Sequence, residues 1–142
     1  MVKTTNRVGV EQDPLKLLKK RDIGVVCQYT RMTDIGRELN NLEKLYLNGN
    51  YLRHISLNIK DLSKLKVLDL GFSHYTIRGI DILRKLPNLT ELSIDINDLL
   101  GEKSLYKLVK LKYLYIYCFH LNKEKMEKRL KKRLKNTFIT VN

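Results

Sequence analysis

Six-residue runs of the form L-x-x-L-x-[LI] occur four times, in phase. They are Leu42–Leu47, Leu65–Leu70, Leu89–Ile94 and Leu111–Ile116, and their starts lie 23, 24 and 22 residues apart. Inside each run apolar and variable residues alternate with a period of two, as in a strand with one buried face. Parallel strands need a connection of a dozen or more residues, and this spacing supplies it. Further apolar residues precede the runs at a spacing of three: Leu39; Ile59 and Leu62; Leu83 and Leu86; Leu105 and Leu108. One such unit cannot bury its leucine face alone, so three or more must stack. The spacing predicts one short strand per repeat, laid side by side in a parallel sheet.

Composition agrees with a repeat architecture. Leu supplies 26 of 142 residues, and there is no Ala and no Trp. A helical bundle without its best helix former would be unusual. No run of 18 uncharged apolar residues exists to cross a membrane. Met1–Arg7 has no apolar core of a signal peptide, so an intracellular (cytoplasmic) protein without one is expected. The net charge is +13, and it is uneven. Segments 1–21 and 122–136 carry +4 and +6, while 22–121 carries only +3. Any nucleic-acid or membrane contact therefore belongs to the ends. Lys outnumbers Arg 19 to 9, which disfavours bidentate recognition of nucleic acid.

The four runs resemble the leucine-rich-repeat family, in its short class of 22–24-residue repeats that includes internalin-like and phosphatase-regulator repeats. Leu86-Pro87-Asn88-Leu89 ahead of a strand is typical of that class, and Asn50 and Asn97 occupy its capping-asparagine slot. Ser73 and Thr30 are polar substitutes in that slot, Phe119 departs from it, and one extra residue lies between Leu70 and Ile77. The resemblance covers about residues 22–142. It implies an α/β leucine-rich-repeat solenoid (horseshoe), with a parallel concave sheet and capped ends. It also implies a non-enzymatic module that binds a protein partner on the concave face.

Three segments are expected. Residues 1–21 form an N-terminal segment with a capping helix opened by Pro14. Residues 22–121 hold about five repeats, the first degenerate around Val25–Met32 with Cys27 in a core slot. Residues 122–142 form a basic capping helix and an edge strand, Phe138–Val141. Asn122 caps that helix, and Met126, Leu130 and Leu134 share one face.

The variable strand positions point to the concave face. The candidate partner-binding residues are Tyr46, Asp69, Phe72, Glu91, Asp95, Tyr113, Tyr115 and Tyr117. Asp69, Glu91 and Asp95, with Asp98 at the rim, are expected to form an acidic centre beside a tyrosine ladder. Tyr is enriched at binding hot spots, and such a face suits a partner with a basic or amphipathic surface. The alternative is electrostatic binding of nucleic acid or anionic membrane through the basic ends, non-specific at most for nucleic acid.

No catalytic motif, Gly-rich phosphate loop or cofactor signature is present, so neither an enzyme nor a cofactor is expected. His54, His74 and His120 lie in separate repeats without metal-ligand spacing, and the acidic residues lack a calcium-loop pattern. No metal site is expected. Cys27 and Cys118 fall four repeats apart, too far for a disulfide, and Cys118 is expected to be a turn thiol.

Overall fold

In a computed structural model of the chain, the described residues are 4–5, 11–12, 42–49, 54–55, 57–73 and 76–142. The expected N-terminal helix, the degenerate repeat with Cys27, Thr30, Asn50 and His74 lie outside them. Two short strands, β1 (Thr4–Thr5) and β2 (Glu11–Gln12), pair antiparallel with Thr4 opposite Gln12.

The four leucine runs each become a strand. β3 (Lys44–Tyr46), β4 (Val67–Leu70), β5 (Glu91–Asp95) and β6 (Tyr113–Tyr117) lie in chain order, and β7 (Phe138–Val141) follows as a fifth. All four pairings are parallel. The register makes the repeat visible: Leu45, Leu68, Leu92, Leu114 and Ile139 stand in one row across the sheet, all buried. The second motif leucine of each run thus stacks on its counterpart in the next repeat. The apolar residues that precede the runs, Ile59, Leu62, Leu83, Leu86, Leu105 and Leu108, join the same core.

Connections run behind the sheet. Leu57–Asp61 and Ile80–Lys85 are 3-10 segments. The last two connections carry α1 (Leu99–Leu105) and α2 (Lys123–Arg133). Asp98 caps α1, its Oδ1 accepting the Gly101 N–H at 2.7 Å. Asn122 caps α2 in the same way, accepting the Lys125 N–H at 2.9 Å. Met126, Leu130 and Leu134 are buried, so the apolar stripe of α2 faces the core and its lysines face solvent. An open α/β solenoid results, covered at its C-terminal end by α2 and β7.

An ion pair that the leucine pattern does not announce ties α2 to α1. Glu102 is 1 % exposed. Its carboxylate accepts from Arg129 Nε at 2.7 Å and Nη2 at 2.6 Å, and from the Tyr106 hydroxyl at 2.7 Å. Arg133 lies 5.4 Å from the Tyr106 ring centre, a cation–π distance. Burial alone would raise the Glu102 carboxyl, but the Arg129 and Tyr106 hydrogen bonds and the nearby cations outweigh it and hold it below the ordinary glutamate value. Burial and the Glu102 carboxylate push the Tyr106 hydroxyl up.

Candidate functional site

The face of the sheet turned away from the core is built from the variable strand positions, and the register sorts them into rows. Lys44, Val67, Glu91, Tyr113 and Phe138 form the first row. Tyr46, Asp69, Ser93, Tyr115 and Thr140 form the second. Asp95 and Tyr117 pair in the third, with Gly71 following Leu70 of β4. Alternation alone places these side chains on one face, and most of them are half-buried or exposed.

The tyrosines hold their expected places. Tyr113 stands on the first row beside Phe138, ring centres 6.3 Å apart. Tyr115 is half-buried on the second row, and Tyr46 lies on the same row at β3. Tyr117 reaches across β5: its ring comes down on Gly71 and stacks on Phe72, centroids 4.2 Å apart and tilted by 38°. Aromatic pairs at such distances add about 0.5–1.5 kcal/mol beyond their buried area.

Phe72 is expected among the outward-facing positions, but the alternation Val67, Asp69, Gly71 gives it no slot in the rows and would turn residue 72 toward the core. Gly71 takes the third-row slot, and Phe72 follows with φ 56°, a left-handed conformation that residues other than glycine rarely adopt. That turn carries the ring back over Tyr117, where it stays 47 % exposed.

The expected acidic centre does not form. Asp95 is fully buried, at 0 % exposure. Its Oδ1 accepts the Phe72 N–H at 2.8 Å, so it holds the left-handed turn from below and is not available to a partner. Asp69 Oδ1 accepts the Gly71 N–H at 3.0 Å, and Asp98 caps α1. The physical reason is common to all three. Backbone N–H groups at turns and helix starts need acceptors, and a short acidic side chain two or three residues upstream, or on the next strand, supplies one. Asp69 and Glu91 remain at the surface, on different rows. With Lys44 on the Glu91 row, the face is mixed in charge and its consistent feature is aromatic.

Polar ladders between repeats hold the strip's edge. Asn97 Oδ1 accepts the Phe119 N–H at 2.8 Å, and the Asn97 N–H donates to Thr76 Oγ1 at 3.0 Å. Asn97 thereby does what its slot implies, and Phe119 departs from the slot only in its side chain. Ser73 instead donates to the Leu70 carbonyl at 2.9 Å. Cys118 is buried, contrary to the turn thiol expected, because it continues the core row beyond β6; its Sγ contacts the Leu121 carbonyl at 3.5 Å. His54 and His120 are exposed. Among the described residues no group of three or more His, Cys, Asp or Glu is placed to hold a metal ion, and no helix is long and apolar enough to cross a membrane.

Sequence reading missed Gly71 and the Glu102–Arg129 pair. A glycine directly after the second leucine run was the available signal for the first. Glu102/Tyr106 and Arg129/Arg133, each at a spacing of four on a helix, was the signal for the second.

No family model matches the chain. Over 104 residues, 69 % of the chain, it is 31 % identical to a protein of Arabidopsis thaliana described as an F-box protein. Over 51 residues, 36 % of the chain, it is 49 % identical to roco9 of Dictyostelium discoideum, described as a serine/threonine-protein kinase. The chain spans 28 % of the first and 2 % of the second. Among solved structures it is similar to internalin C2 of Listeria monocytogenes, with a TM-score of 0.38 and 20 % identity, covering 84 % of this chain and 70 % of that one. That score is too low to carry weight by itself. Four in-phase L-x-x-L-x-[LI] runs, each folded as one strand of a continuous parallel sheet with its leucines stacked in register, give this chain a leucine-rich-repeat fold.

Proposed function

We propose that the chain is a non-enzymatic interaction module that binds a protein partner on the solvent face of its sheet. The contact strip is Phe72, Tyr117, Tyr115, Tyr113 and Phe138, flanked by Tyr46, Asp69 and Glu91. The observation that carries this reading is Phe72. A non-glycine residue at positive φ costs about 1 kcal/mol or more, and here it is held there by a buried carboxylate. The result is a large apolar ring left in water. Such strain clusters at functional sites, and rigid aromatic side chains dominate binding hot spots. Asp69 and Glu91 beside the strip suit a partner segment carrying Lys or Arg next to apolar residues.

The basic ends rank second. The apolar stripe of α2 is occupied by the core, so that helix has no second stripe to insert into a membrane. The test is affinity capture with immobilised wild type and Tyr115→Ala/Tyr117→Ala, read by mass spectrometry and then by titration of the captured partner. Loss of about 2 kcal/mol or more of binding by the folded double variant is expected for hot spots. Equal capture by wild type and the double variant would remove the strip from the interface.

A further inference from the structure

A second recessed site lies outside the sheet face, at the edge where β5 and β6 begin. Two successive connections, 83–89 and 107–111, part there to leave a cleft of about 180 Å³. Its floor is apolar: Leu83, Leu86, Leu89, Leu108 and Leu111. Its polar lining consists of cations alone, Arg84, Lys107 and Lys110. All three are exposed, and the ion pairs of Lys66 with Glu43, Arg129 with Glu102 and Lys131 with Glu127 lie elsewhere. Val109 stands at the rim, 65 % exposed between Lys107 and Lys110.

We propose that this cleft docks an acidic peptide segment through one large apolar side chain. The volume is below the 300–1,000 Å³ or so of pockets that enclose a drug-sized molecule, and suits one inserted residue. Three cations around an apolar floor attract a segment whose flanking residues are Asp or Glu, and charge complementarity sets both encounter rate and specificity. A lipid surface fits less well. Its binding needs apolar residues that protrude, whereas the leucines here form a recessed floor and Val109 alone stands out. Nucleic acid fits less well again, because no aromatic ring lines the cleft to stack a base. The chemistry is opposite to that of the sheet face, where carboxylates flank the aromatic strip, so the two sites select different segments and the second stands whether or not the first is correct.

The test uses the full chain and three labelled heptapeptides in fluorescence anisotropy: Asp-Glu-Asp-Phe-Glu-Asp-Glu, the same peptide with Ser for Phe, and the same peptide with Lys for every acid. The variants are Lys107→Glu/Lys110→Glu, both at exposed positions, and Tyr115→Ala/Tyr117→Ala. Melting curves establish that each variant is folded. Saturable binding of the acidic Phe peptide is expected, weakened about tenfold or more by the charge reversal, by loss of Phe and by exchange of acids for Lys. The sheet-face variant should bind it as wild type does. Binding that is absent, indifferent to Phe, or unchanged by the charge reversal overturns the proposal. So does sedimentation with phosphatidylserine vesicles that the reversal abolishes while no peptide binds, which would assign the cations to anionic lipid.

Discussion

Gly71 lies directly beneath the Tyr117 ring: a Cβ at position 71 would stand 2.6 Å from Tyr117 Cε2 and 3.1 Å from Ser93 Oγ. The first of these distances is closer than carbon atoms can approach. The backbone of Gly71 is not in the left-handed region, so alanine is allowed there by the main chain and is opposed by side chains alone, chiefly the Tyr117 ring and less so Ser93 Oγ. Gly71→Ala should therefore push Tyr117 off Phe72, at a stability cost of about 1–3 kcal/mol, as for overpacked sites. Near-UV circular dichroism should report the loss of the aromatic pair, and capture of a sheet-face partner should weaken. An unchanged near-UV spectrum would mean that the ring does not rest where it is placed.

Arg129 supplies both hydrogen bonds that neutralise a carboxylate 1 % exposed. Removing one partner of such a pair is worse than removing both, because a lone buried charge is left behind. Arg129→Met should lower the melting temperature by several degrees. Adding Glu102→Leu to Arg129→Met should restore part of that loss. A double variant less stable than Arg129→Met would show that the pair is not the source of the effect.

The same carboxyl sets an acid limit. Glu102 is held below its ordinary value of 4.5. A carboxyl depressed on folding adds stability that is complete above the unfolded value and is lost as pH falls through the folded one. Tyr106, raised above 10.0, has the opposite sense: its contribution is complete below 10.0 and is lost as pH rises through the folded value. Melting temperatures of wild type and Glu102→Gln should thus differ by a constant amount near neutrality and converge once the pH drops below about 4.5. A gap that persists at low pH would place the acid sensitivity elsewhere.

Leu130 sits in the middle of the buried face of α2, between Met126 and Leu134. Leu130→Ala should destabilise by about 2–5 kcal/mol, as for other buried leucines, while Lys132→Ala, on the solvent side, should stay within about 0.5 kcal/mol. Chemical denaturation measures both. If Leu130→Ala unfolds like wild type, the helix does not cover the core.

The solenoid was legible in the sequence because its signal is redundant. Leu45, Leu68, Leu92 and Leu114 report the same strand slot four times, and an error in one copy is corrected by the others. The C-terminal cap was legible from one helix, since Asn122 and the Met126, Leu130, Leu134 spacing give both its start and its buried face. The binding face was legible only in part. Alternation places Tyr113, Tyr115 and Tyr117 correctly, but it says nothing of what neighbouring backbone requires. Asp95 looks like a surface carboxylate by its position in β5, yet the Phe72 N–H on the preceding repeat claims it. Phe72 breaks the period because one residue in the left-handed region redirects the chain, and a phenylalanine gives no hint of that conformation. Glu102 and Arg129 are 27 residues apart, a pairing that only the packing of α1 against α2 brings about.

Phe72 also sets folding and recognition against each other at a single position. Its φ of 56° is one that Gly adopts freely and Asn tolerates, and the Asp95 carboxylate accepts the backbone N–H whatever the side chain. A library at position 72 selected for thermal resistance alone should enrich Gly and Asn. The same library selected for partner capture should enrich Phe, Tyr and Trp. The divergence of the two outcomes would measure how far this surface has been shaped by something other than the need to fold.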